Sequence, residues 1–183
     1  MSDFSRILRD RVFSDVVFVF KKENKEVFAH RNIIFARCPR FRDFINEENS
    51  YEEVSGETSK KIFKIEIENF KEETFQIFLK YIYTGTLPSF DSHPISTFFD
   101  LIRISNFYQV DHCAILCEDS IEQRIGLNVV ISIYQQSLDC SLRLQKFCLF
   151  LIIKNFSSLR SELQQTINKK NYKMIKEIYK QVI

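Results

Sequence analysis

Apolar residues Phe4, Ile7, Leu8 and Val12 recur at helical spacing with Ser5, Arg6, Arg9 and Asp10 between them, which predicts a short amphipathic helix over residues 4–12. Residues 15–20 form a β-branched and aromatic run, and a polar turn at 21–25 separates it from residues 26–29, so a β-hairpin is expected. Residues 30–37 place Ile33, Ile34 and Ala36 on a helix that stops before Pro39, because the residue preceding a proline is pushed away from helical backbone. Phe41, Phe44 and Ile45 mark another short helix. Residues 46–61 are polar and contain Gly56, and read as an exposed loop. At 62–67, Ile62, Lys64 and Glu66 alternate with Phe63, Ile65 and Ile67, the pattern of a half-buried strand.

The clearest helix starts at Asn69, which with Glu72 has the spacing of a capping box. Phe75, Phe78, Leu79 and Ile82 form its stripe and Gly85 its stop. Pro94 can open the next helix, which carries Phe98, Phe99, Leu101 and Ile102. Asp111 is expected to cap a helix with Cys113, Leu116, Cys117 and Ile121 on one face. Beyond Gly126 the pattern is helical throughout, with segments at 127–137, 141–155 and 159–182 joined near Asp139-Cys140 and Ser157-Ser158. This order gives an α+β fold, a small sheet with a helical majority.

Composition narrows the function. A net charge of +2 is too balanced for a nucleic-acid footprint. The longest wholly apolar run, residues 147–153, is far below the roughly 20 residues of a membrane span. The N-terminal residues lack a signal-peptide apolar segment, so a reduced cytoplasmic or nuclear setting is expected, and five scattered cysteines fit buried thiols rather than disulfides. The aromatic load is 19 Phe and 7 Tyr without Trp, which points to core and interface rather than to a ligand platform. Three separated glycines cannot cradle a phosphate, and no cofactor is expected.

Candidate chemistry is thin. His30 with Cys38 lacks an orienting Asn or Asp, and His112, Cys113 and Cys117 lack the second ligand pair of a closed zinc site. No catalytic or metal-ligating residue is expected. The lysine-rich residues 169–180 read as an amphipathic helix with a solvated basic face.

Three blocks carry a family resemblance. Ser14-Asp15-Val16-Val17-Phe18 followed by residues 27–41, with Ala29-His30-Arg31 and Pro39, resembles the BTB (POZ) signature. Phe75 through Lys80-Tyr81-Ile82-Tyr83-Thr84-Gly85 resembles that family's central helix, and Asn106-Phe107-Tyr108 with Leu116-Cys117-Glu118 its later motif. Asn128-Val129, residues 144–148 and Asn155-Phe156 are similar to the first helices of a BACK region, the 3-box, although Leu127, Gln135 and Gln136 replace its usual acidic and alanine positions. The resemblance implies a BTB domain over 1–122, a small sheet flanked by helices, then an all-α BACK-like segment over 123–183. It also implies a protein-interaction module: a homodimer that recruits the cullin-3 N-terminal domain and brings an unidentified protein substrate to a ubiquitin ligase, or a scaffold that self-associates or recruits a co-regulator without cullin.

The residues implied for these roles follow. The stripe Phe4, Ile7, Leu8 and Val12 is either an isologous dimer interface or packs on its own domain. The family's cullin motif, an apolar residue two before a glutamate, fits Ile45 with Glu47 and Tyr51 with Glu53; distance from Pro39 favours the second, against the alternative of a solvated acidic loop. Phe107, Tyr108, His112 and Ile115, extended by Val129 and Ile133, would supply a second partner surface or else be core. Ile115 lies off the Cys113/Cys117 face and is expected to be exposed.

Overall fold

The computed structural model describes residues 6–8, 11, 13–45, 50–55 and 58–182, with the backbone alone at 53–55, 58 and 181–182. The chain divides into two units, residues 1–114 and 115–183.

In the first unit, β1 (Val16–Phe20) and β2 (Lys25–Ala29) form the expected antiparallel hairpin, with Asn24 in a left-handed conformation in the turn. β1 pairs in parallel with β4 (Thr58–Glu66), which pairs antiparallel with β3 (Ser50–Ser55), so the sheet order is β2-β1-β4-β3. Here the structure departs from the loop expected over residues 46–61: residues 50–55 and 58–61 are strand. β3 lies at the end of the strand order and reads Ser-Tyr-Glu-Glu-Val-Ser, and β4 begins with Thr, Ser and two lysines. Strands near a sheet edge can be polar, which erases the alternation that identifies a half-buried strand.

Between β2 and β3 the chain forms α1 (Arg31–Arg37) and a short 3-10 helix (Pro39–Phe44). After β4 come α2 (Glu72–Thr84) and α3 (Ile95–Tyr108). Gly85, at φ 70°, ends α2 by donating its N–H to Tyr81 O. A side chain at that φ would be strained, so glycine is the residue that fits.

The caps of α1 and α2 come from distant carboxylates. Asp15 Oδ1 accepts from Arg31 N at 2.6 Å, and Glu23 Oε1 accepts from Glu72 N at 3.0 Å. The capping box expected at Asn69 does not form: α2 starts at Glu72, and its Lys71 cap position offers no side-chain acceptor. Lys25 closes this corner against the buried Glu72 at 2.7 Å.

Phe75 on α2 is the centre of the core. Its ring meets Phe18 at 4.8 Å, Phe20 at 5.4 Å, Phe78 and Tyr108 at 6.1 Å and Phe41 at 6.5 Å. Three elements besides α2, namely β1, the 3-10 helix and α3, are thereby tied to one side chain. His30, as its sequence context suggests, is structural: its N–H donates to Tyr83 Oη at 2.8 Å, and its Nδ1 lies at the same distance from that oxygen.

α4 (Asp111–Glu122) crosses the division between the units. The second unit then holds α5 (Val130–Ser137), α6 (Leu142–Lys154), α7 (Phe156–Thr166) and α8 (Lys169–Val182). The single helix expected over 159–182 is two. Ile167 takes an extended conformation, and Asn168 Oδ1 accepts from Asn171 N at 2.9 Å, restarting the helix as a side-chain cap. Ser141 caps α6 by accepting from Leu144 N, and donates its hydroxyl to the buried Glu118 at 2.5 Å. Arg143 gathers Asp119 at 2.6 Å and Glu122 at 3.0 Å.

Burial pushes the Cys38 thiol up to about 11 and the Cys148 thiol up to about 12, against an ordinary 9.0. Above pH 9.0 the unfolded chain releases these protons before the folded chain does, so stability is complete below that value and falls as pH rises toward 11 and 12. Urea midpoints measured across this alkaline range should fall, and Cys38→Ala with Cys148→Ala should flatten the decline. An unchanged slope in the double variant would assign the loss to other groups.

Candidate partner-binding surfaces

Of the N-terminal stripe, Ile7 and Leu8 are described and Phe4 and Val12 lie outside the described residues. Ile7 is exposed, while Leu8 lines a cleft of about 480 Å³ with Val27, Phe28, Leu79 and Lys80. Arg11 lies over the Phe28 ring at 3.9 Å at the same cleft. The stripe therefore turns Leu8 to its own domain and leaves Ile7 outward. Phe13, which pattern analysis passes over, is 77% exposed. Its signal is positional: a lone aromatic between a helix and a strand belongs to no periodic face.

Tyr51 stands exposed on β3, and the backbone of Glu53 pairs with Lys60 two positions along. Strand periodicity puts positions 51 and 53 on one side of the strand. The sequence pattern implies a loop at this spacing; the strand gives it a defined geometry instead. In the competing triplet Ile45 is half-buried at the end of the 3-10 helix, and Glu47 lies outside the described residues.

Phe107 and Tyr108 separate in role. Tyr108 is 2% exposed, stacked on Phe41 at 4.2 Å and on Phe78 at 5.7 Å, and its backbone oxygen accepts from the Cys38 thiol. Burial also raises its phenol above the ordinary 10.0. It is a core residue. Phe107 is half-buried and joins Phe44 and Phe70 around a groove of about 180 Å³ rimmed by Glu66 and Glu68. Phe44 and Phe70 complete this groove without any sequence spacing to announce it, since they come from elements 26 residues apart. His112 is on the surface, with Nδ1 at 2.6 Å from Tyr81 Oη.

In the second unit Ile115 is 45% exposed, as its helical position implies, and Val129 is half-buried. Ile133 is 1% exposed and donates its N–H to Val129 O, so it is core. Leu142 and Phe150, on the outer row of α6, are 64% and 62% exposed.

Comparison with known proteins decides what carries these surfaces. The BTB/POZ domain family profile matches residues 4–125. The chain belongs to the BTB/POZ family. It is 28% identical over 173 residues to an ankyrin repeat, bromo and BTB domain-containing protein of Dictyostelium discoideum, covering 87% of this chain and 20% of that protein. It is 29% identical over 155 residues to the Arabidopsis thaliana ARM repeat protein interacting with ABF2, covering 84% of this chain and 20% of that one. It is 28% identical over 125 residues to mouse TD and POZ domain-containing protein 5, covering 68% and 33%. The chain thus spans a fifth to a third of these relatives. The solved BTB domain of zebrafish PATZ1 aligns at a TM-score of 0.47 and 15% identity, over 65% of this chain and 84% of that one.

BTB/POZ domains are protein-interaction modules, generally non-enzymatic, that typically self-associate and bind partner proteins. In this BTB/POZ chain the exposed and buried members of the implied surface should respond differently to truncation. Tyr108→Ala should cost about 3–5 kcal/mol, the range of buried aromatic deletions. Tyr51→Ala and Ile115→Ala should stay within about 0.5 kcal/mol. Urea denaturation of the three variants checks the split.

Proposed function

We propose that this BTB/POZ chain is a homodimeric substrate-adaptor component that recruits the cullin-3 N-terminal domain, working in the cytoplasm or nucleus. The observation that carries the reading is Tyr51: a large apolar side chain, 43% exposed on β3, two residues before Glu53. Such a ring can enter a partner pocket as an anchor while the glutamate pairs at its rim. Within the first unit, Phe107 and His112, both at least partly exposed, would add to the contact; in the second unit Ile115 and Val129 are also at least partly exposed, while Tyr108 and Ile133 are each buried in their own unit. The domain boundary in this reading follows the implied one, a BTB domain over 1–122 and a BACK-like segment over 123–183. The adaptor would act through effective concentration, holding the ligase near a substrate bound by the same assembly.

The burial of Tyr108 and Ile133 favours a second reading, a scaffold that self-associates or recruits a co-regulator without cullin. Both residues were implied as contacts, and neither can offer its side chain to a partner without local unfolding.

Calorimetric titration with a cullin-3 N-terminal fragment separates the two. The adaptor reading expects one fragment per protomer, with affinity lowered roughly tenfold or more by Tyr51→Ala, the loss typical of a hot-spot residue. Absence of binding to the folded chain would leave the scaffold reading.

A further inference from the structure

The basic charge of this chain is concentrated on α8. Residues 169–182 hold five lysines against one glutamate, a formal +4, whereas the whole chain carries +2, so the other 169 residues sum to −2. At about 100° per residue, Lys169, Lys173, Lys176 and Lys180 fall within an arc of about 60°, forming a row about 16 Å long. Lys169, Lys173 and Lys180 are exposed and Lys176 is half-exposed. Lys180 lies 3.4 Å from Glu177; among the described residues the other three have no carboxylate partner.

The helix bearing this row is firmly seated. Ile175 is fully buried, and Tyr179 and Tyr172 stack on Phe156 of α7 at 4.4 Å and 6.3 Å. Tyr172 Oη accepts from Gln164 at 2.9 Å, and Tyr179 Oη lies 3.0 Å from Ser157 Oγ. The ammonium groups therefore project from a fixed axis, and the ordering cost on binding is confined to the side chains.

We propose that this lysine row docks an extended acidic segment of a protein partner. Successive lysines lie about 4.5–6 Å apart along the axis. Carboxylates at alternate positions of an extended peptide lie about 6.6 Å apart, a mismatch that flexible lysine stems absorb. Nucleic acid fits less well, because the tyrosines that could stack bases are engaged with Phe156. A membrane also fits less well, because the apolar side of α8 is turned to α7 and Met174 is its single exposed large apolar residue among the described ones. The proposal is independent of cullin binding.

Fluorescence anisotropy of a labelled peptide of alternating Glu and Ser tests it on the whole chain. The K169Q/K173Q/K176Q/K180Q variant should weaken binding roughly tenfold, as expected for a few exposed ion pairs. A control with the same charge change elsewhere, K21Q/K22Q/K64Q/K71Q, should bind like the parent. Circular dichroism confirms the fold of each, and Lys173→Glu alone carries the test if the row variant loses helix. Equal weakening in both fourfold variants would overturn the proposal. So would tighter binding of the parent to a single-stranded oligonucleotide or to phosphatidylserine vesicles than to the peptide.

Discussion

One aromatic side chain holds the first unit together. Phe75 projects from α2 into rings supplied by β1, the 3-10 helix and α3, so sheet and helices share a single buried cluster rather than separate contacts. β1 can pair in parallel with β4 only because the intervening chain crosses over through α1 and the 3-10 helix, and Phe41 pins that crossover to the cluster.

The helix ends show how local and distant sequence divide the work. Gly85 stops α2 by a rule that is readable from one residue, and the stripe Phe75, Phe78, Leu79 and Ile82 is buried as its spacing implies. The start of α2 was not readable. Its acceptor is Glu23, 49 residues away, and the nearby Asn69 offers a plausible but unused alternative. A local pattern cannot reveal a cap that only the folded chain brings near. Likewise, the break at Ile167 was hidden because the amphipathic pattern resumes almost in phase, and β3 was hidden because polar strands lack alternation.

The surfaces were legible to a similar degree and for similar reasons. Helical geometry placed Ile115 outward, and it is outward. Family resemblance implied Tyr108 and Ile133 as contacts, yet a motif gives position and not orientation; the aromatic cluster claims one and the core of the second unit the other. Tyr51 gained meaning from the fold, which sets it on a strand rather than a loop. Phe44 and Phe70 could not have been paired with Phe107 before the fold was known.

This BTB/POZ chain buries the thiols of Cys38, Cys113, Cys117 and Cys148 and leaves the rings of Phe13, Tyr51 and Phe150 exposed, a distribution that suits a protein-interaction module. The proposed self-association would run through the N-terminal face, where Ile7 and Phe13 are exposed and Leu8 lines a cleft. Sedimentation equilibrium of the chain beside an Ile7→Asp/Phe13→Asp variant tests it directly. The parent should be a dimer and the variant a monomer of unchanged circular dichroism. A parent that remains monomeric as concentration rises, or a variant that still dimerises, would contradict it.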